Sequence, residues 1–245
     1  MSGVGLTRWI QRTLAIAVVL PAAVPLTLEG QHAVRWWEVA GAVGFVAGVS
    51  AFDRGVDRWI QDQRSPRSDA WARALKHGGQ PEVFLTVGGG LIAAGAISGR
   101  ASLERSGARV LLSVAAAGLT TVALKELAGR VRPDDSRDPY VFKPFSHHES
   151  FPSGHTTIAF AFASALGEET HNRWAATALY AGAAGTGWSR LNDHRHWLSD
   201  VVAGALVGIS AAKVAEGRWR VFGLGPPHLL INPAGVSRLE WRLAF

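Results

Sequence analysis

Seven uncharged apolar runs, at 13–28, 39–52, 83–99, 110–124, 156–167, 174–188 and 201–212, set the limits on what this chain can fold into. They are rich in Ala and Gly, lack the alternation of strands, and are separated by charged loops, so they read as helices. Small residues repeat four apart at Gly44 and Gly48 and at Gly204 and Gly208, a spacing that lets helices approach closely. The polar segment 53–82, broken by Pro66 and Pro81, reads as a long loop with one short helix. The expectation is an all-α bundle of six helices over 36–220, with one further apolar run before it and a tail, 221–245, behind.

The first run follows Arg8 and Arg12 and contains Pro21 and Pro25. A charged start and a short apolar stretch fit a signal peptide or a membrane anchor over residues 1–28, and either gives a cell-envelope address. A spanning helix needs about 20 mainly apolar residues, and none of the other uncharged runs reaches that without a flanking charge. An integral bundle of short helices and a bundle lying in or beside the membrane both fit. In the tail, Leu239, Trp241, Leu243 and Phe245 alternate with Arg238, Glu240, Arg242 and Ala244 behind Pro233-Ala234-Gly235. That is strand periodicity after a turn, and Leu229–Ile231 is the natural partner for a short β-hairpin.

Charge and cysteine content narrow the function. The net charge of +6 fits an anionic surface or anionic substrates. No Lys/Arg tract interleaved with aromatics is present, which disfavours nucleic acid. The absence of cysteine excludes disulfides and thiolate metal sites.

Three stretches carry chemistry: Lys125-x6-Arg132-Pro133, Pro152-Ser153-Gly154-His155 and Ser189-Arg190-x5-His196-x3-Asp200. Lys125 and Arg190 each end an apolar run. Pro133 disfavours helix at Arg132, so Lys125 and Arg132 can reach one point at the bundle's mouth. Arginine presents a fork matched to phosphate oxygens, and lysine a compact charge. Ser153 is a natural N-cap, Gly154 admits close approach of a ligand to the backbone, and a helix start favours anions. His196 and Asp200 are four apart, which on a helix puts them on one face. A carboxylate bonded to one ring nitrogen leaves the other free as a nucleophile. Metal binding by His194, His196 and Asp200 is disfavoured by the nearby cations, and His147, His148 and Glu149 read as a polar loop at the entrance.

The three stretches together resemble the signature of the type 2 phosphatidic acid phosphatase (PAP2) superfamily, which includes lipid phosphatases, bacterial acid phosphatases and vanadium haloperoxidases. The resemblance covers residues 125–200 and implies a helical core. It also implies that Lys125, Arg132 and Arg190 bind phosphate with the backbone of Ser153 and Gly154. His196 would become phosphohistidine, Asp200 would orient it, and His155 would protonate the leaving alcohol. No metal is called for, because fixed cations and helix amides neutralise the transferring group.

The expected function is therefore a metal-independent phosphatase acting on a phosphomonoester or pyrophosphate, of a lipid or a small ester. Membrane association and an active site on the extracytoplasmic side of a bacterial-type envelope go with it. Vanadate would be an inhibitor that mimics phosphate. In the alternative reading, a vanadium haloperoxidase, it would be the cofactor. A non-catalytic carrier of anionic lipids explains the helices and basic loops but leaves His155, His196 and Asp200 without a purpose. The segment 134–151, with Tyr140, Phe142, Phe145 and Phe151, is the expected rim of the site.

Overall fold

The computed structural model describes residues 32–221, together with the backbone of two short strands at 228–231 and 237–240. Eight helices lie among the described residues: α1 (Trp36–Ser50), α2 (Asp53–Asp62), α3 (Pro66–Leu75), α4 (Pro81–Ser98), α5 (Ala101–Ala128), α6 (Gly154–Thr170), α7 (Arg173–Asn192) and α8 (Leu198–Ala215). The all-α expectation holds, and each of the six anticipated runs after residue 28 is a helix. The signal or anchor segment 1–28 lies outside the described residues.

The segment 53–82 holds more helix than its reading as a long loop with one short helix. It forms α2, α3 and a 3-10 turn over Lys76–Gly79. Pro66 and Pro81, taken as breakers, each occupy the first turn of a helix, where a missing N–H costs nothing. Ser65 caps α3, its hydroxyl accepting from the Ser68 N–H at 3.2 Å. The chain therefore restarts a helix at each proline.

α6 is the central helix, packed against α5, α7 and α8, while α4 packs on α5 and α3 on α7. Gly204 and Gly208 make the α6–α8 approach possible. A Cβ on Gly208 would come within 2.3 Å of the Thr157 carbonyl oxygen, and one on Gly204 within 2.7 Å of that of Ser153. Gly44 and Gly48 do not follow suit: nothing lies within 4 Å of where their Cβ atoms would be, and α1 buries none of its residues.

Among the described residues, three helices are long and apolar enough to cross a membrane: Pro81–Ser98, Ala101–Ala128 and Leu198–Ala215. Trp36–Ser50 and Asp53–Asp62 qualify as a pair bent by 49°. Flanking residues lengthen the apolar runs beyond what an uncharged count indicates, and α5 reaches 28 residues. Ile97 and Leu119 are 88% and 74% exposed, an outer surface suited to lipid rather than water.

Two small sheets lie among the described residues. His32–Val34 (β1) pairs in parallel with Trp219–Val221 (β2), a pairing without a sequence signal. His228–Ile231 (β3) and Ser237–Glu240 (β4) form the antiparallel hairpin expected of the tail, with Leu229 opposite Leu239. The hairpin belongs to a unit separate from the helical body. Trp241, Leu243 and Phe245 lie outside the described residues.

Candidate active site

The helices alternate in direction, so the end of α5, the start of α6, the end of α7 and the start of α8 meet at one end of the bundle. These four termini carry the residues of the three stretches. Lys125 sits in the last turn of α5, His155 in the first turn of α6, Arg190 in the last turn of α7, and Asp200 in the first turn of α8.

Helix α5 stops at Gly129, whose φ of 53° is left-handed and whose Cβ would fall on the Lys143 carbonyl. Only glycine fits such a turn. The turn directs Arg130 inward and leaves Arg132 near the site, where its Nη2 lies 3.8 Å from Glu149. Lys125 bonds the Glu149 carbonyl and lies against Gly154, whose Cβ position is 3.7 Å from the lysine Cε. Arg190 donates to Asp193 at 2.8 Å. Arg132 and Arg190 each keep a buried Nε with no hydrogen-bond partner among the described residues.

Ser153 stands at the N-cap position of α6, but its side chain caps no backbone N–H. Its Oγ accepts from the Thr156 hydroxyl at 2.9 Å instead. The first-turn N–H groups, which have no partners within the helix, are thus left uncapped by it.

The His196–Asp200 relationship differs from two residues on one helix face. Helix α8 begins at Leu198, so His196 lies before it. Asp200 is the third residue of the helix, and its carboxylate accepts from the Trp197 N–H at 2.9 Å, as in a capping box. The loop conformation brings His196 Nδ1 to 2.7 Å from the Ser150 carbonyl, while the nearest Asp200 oxygen is 3.7 Å away. A carbonyl only accepts, so Nδ1 carries the proton in neutral His196 and Nε2 holds the free lone pair. Asp200 holds this arrangement indirectly, its Oδ2 accepting from the Ser150 hydroxyl at 2.5 Å.

Behind the histidine is a buried charge network with no counterpart in the motifs. Arg130 donates to Asp200 at 2.5 Å, to Asp53 at 2.7 Å and to the Pro139 carbonyl at 2.7 and 2.8 Å. Ser199 donates to Asp53 through its N–H at 2.8 Å and its hydroxyl at 2.6 Å. The guanidinium also lies 5.3 Å from the Phe142 ring. Arg130, Asp53, Ser150 and Ser199 escaped the sequence reading. The one signal available was a second arginine between Lys125 and Arg132.

Both histidines are held well below the usual range, at about 4. Burial is the main cause for each. For His155 the charge of Arg190 follows, then His196, Lys125 and Lys76. For His196, Asp200 works in the opposite direction and favours the charged form.

Of the loop residues, His194 Nε2 lies 3.2 Å from Asp57. Among the described residues, no group of three or more His, Cys, Asp or Glu is arranged to hold a metal ion. At the rim, Tyr140 donates to the Ser50 carbonyl at 3.2 Å and Phe145 is 71% exposed.

This helical core and its clustered termini define a class, and the comparisons agree with it. Residues 106–217 match the model of the PAP2 superfamily. The chain is 39% identical over 110 residues to a lipid A 1-phosphatase of Porphyromonas gingivalis, covering 44% of this chain and 22% of that one. It is 39% identical over 107 residues to a lipid A 1-phosphatase of Rhizobium johnstonii, covering 42% and 43%. The chain thus spans less than half the length of these curated relatives. The fold matches a transmembrane PAP2 type phosphatidylglycerolphosphate phosphatase from Bacillus subtilis with a TM-score of 0.57 and 23% identity. That match covers 73% of this chain and 94% of the other.

Proposed function

We propose that the protein is a metal-independent phosphatase that hydrolyses a phosphomonoester or pyrophosphate of a lipid through a phosphohistidine at His196. The observation that carries this reading is the fixed tautomer of His196: Nδ1 is held by the Ser150 carbonyl, and Nε2 makes no hydrogen bond among the described residues. The nearby Lys125, Arg132 and Arg190 supply the positive charge that a transferring phosphoryl group needs. The names of the relatives, lipid A 1-phosphatases, support a lipid phosphate as substrate.

Lys125, Arg132, Arg190 and the Ser153–Gly154 backbone hold the phosphate. Nε2 of His196 attacks phosphorus as the P–O bond to the leaving group breaks, and His155 gives its proton to the departing oxygen. Water then attacks the phosphohistidine, His155 takes its proton, and inorganic phosphate is released. A bound phosphate dianion favours protonated His155, offsetting the burial and cations that depress it.

The test is phosphate release from lipid and soluble phosphate esters by wild type, His196→Ala and Asp200→Asn, with and without a chelator. His196→Ala should abolish turnover, Asp200→Asn should lower it by about 10²-fold or more, and the chelator should change nothing. Vanadate should inhibit by occupying the phosphate position. Undiminished turnover in His196→Ala sinks the reading, and bromide oxidation by the vanadate-loaded protein with no ester hydrolysis replaces it with a haloperoxidase.

A further inference from the structure

Between Arg190 and His196 the third stretch leaves its residues unspecified, yet in this chain they are not a loose link. Helix α7 ends in a Schellman motif. The His194 N–H donates to the Leu191 carbonyl at 3.0 Å and the Arg195 N–H to the Arg190 carbonyl at 3.1 Å. His194 takes the left-handed position of that motif, with φ 57°, and its Nε2 lies 3.2 Å from Asp57. Asp193 is the C-cap residue, its own N–H bonded to the Ser189 carbonyl at 2.9 Å. Its place beside Arg190 is thus fixed by backbone on both sides.

An acid is poorly placed there on its own account. The C-terminus of a helix is the negative end of its dipole and favours cations. Asp193 has one side-chain partner among the described residues, Nη1 of Arg190 at 2.8 Å, and the Arg190 side chain has no other. Arg190 is only 9% exposed, and its Nε is buried with no acceptor among the described residues. A buried N–H without an acceptor is costly, and an arriving acceptor removes that cost.

A guanidinium presents flat edges, each matched to a pair of oxygens. With Nη1 taken by Asp193, the edge formed by Nε and Nη2 stays open. Among charged groups Arg190 acts most strongly on His155, and it also acts on His196, so this guanidinium lies close to both histidines that the reaction uses.

We propose that Asp193 is a positioning residue of the phosphate site: by holding Nη1 it turns the Nε–Nη2 edge of Arg190 towards the phosphate. The inference rests on the phosphatase reading and adds to it a residue that touches no substrate. Asp193 also lowers the local positive charge, which by itself would weaken anion binding. Orientation and neutralisation therefore predict opposite effects of removing it, and the sign of the change decides between them.

Binding of inorganic phosphate is measured by calorimetry on purified protein in detergent, and kcat and KM on hexadecyl phosphate in mixed micelles. The proteins are wild type, Asp193→Ala, Asp193→Asn, Arg190→Lys and the double variant Arg190→Lys/Asp193→Ala. Asp193→Ala should weaken phosphate binding and lower kcat/KM by about tenfold or more, the loss of a hydrogen bond between charged groups. Asp193→Asn keeps an oxygen acceptor of the same shape and should lose less, about threefold, and it carries the test should the alanine variant not fold. In Arg190→Lys, which has no fork to orient, adding Asp193→Ala should change binding by less than about twofold. Phosphate binding as tight as wild type or tighter in either Asp193 variant would overturn the assignment, and so would an equal loss in the Arg190→Lys background. A wild type that binds phosphate but hydrolyses no ester overturns the phosphatase reading and leaves Asp193 to be decided by calorimetry. A wild type that binds no phosphate overturns both.

Discussion

Arg130 and Asp200 meet at 2.5 Å in the interior, the arginine 1% exposed and the aspartate fully enclosed, and the same guanidinium holds Asp53 on its other edge. The site is thereby tied to α2, a helix that bears none of the three motifs. Arg130→Met would leave two buried carboxylates without their counter-charge. Breaking a buried pair from one side costs about 3–5 kcal/mol, and Arg130→Lys should recover only part of it because one ammonium cannot fork between two carboxylates. Thermal unfolding in detergent should show a large drop for Met and a smaller one for Lys. A Met variant that melts with wild type would show that the network adds no stability.

That network also marks what was legible in the sequence. Lys125, Arg132, His155, Arg190, His196 and Asp200 could be read because each sits at a fixed offset from a helix end or a Pro or Gly. Those offsets survive folding as one cluster at one end of the bundle. Asp53 could not be read, since its role depends on α2 packing 77 residues away in sequence from Arg130. The His196–Asp200 geometry was misjudged for a local reason: Asp200 accepts from the Trp197 N–H in the capping box that starts α8, so the helix begins after His196. The segment 53–82 was misread because proline is equally at home in a loop and at a helix start, and only packing on α7 distinguishes the two.

The histidines make stability depend on acid. His196 is pulled from 6.5 to about 4 by burial, so below about 6.5 the unfolded chain binds a proton that the folded chain refuses. Its contribution is complete above about 6.5 and is lost as pH falls towards about 4, amounting to roughly 3 kcal/mol. Melting temperature should therefore fall through this window, and the fall should be shallower in His196→Ala. An unchanged slope in that variant would mean His196 is not buried in its neutral form.

We propose that the site lies on the extracytoplasmic face, and the natural absence of cysteine makes this testable. Phe145 is exposed in the loop at the site end, and Trp174 is exposed at the start of α7, at the opposite end. In intact cells a membrane-impermeant thiol reagent should label Phe145→Cys and reach Trp174→Cys only after permeabilisation. The reverse pattern would turn the protein over in the membrane.

At that opposite end, Glu216 follows α8 with its side chain 5% exposed and both carboxylate oxygens buried without a hydrogen-bond partner among the described residues. The nearest charge is the Arg218 Nε at 3.7 Å. Burial raises its pKa from 4.5 to about 7. Glu168 adds to the rise, while Lys213 and Arg218 oppose it. The folded chain thus holds a proton that the unfolded chain releases above about 4.5, so stability declines as pH rises from there to about 7. Glu216→Gln, which keeps the shape and discards the charge, should remove as much as about 3 kcal/mol of that penalty at about pH 8 and change little at about pH 4. Melting curves of wild type and Glu216→Gln at the two pH values measure the difference. A variant less stable than wild type at the higher pH would show that the charged carboxylate is satisfied, and that its ion pair with Arg218 outweighs the cost of its burial.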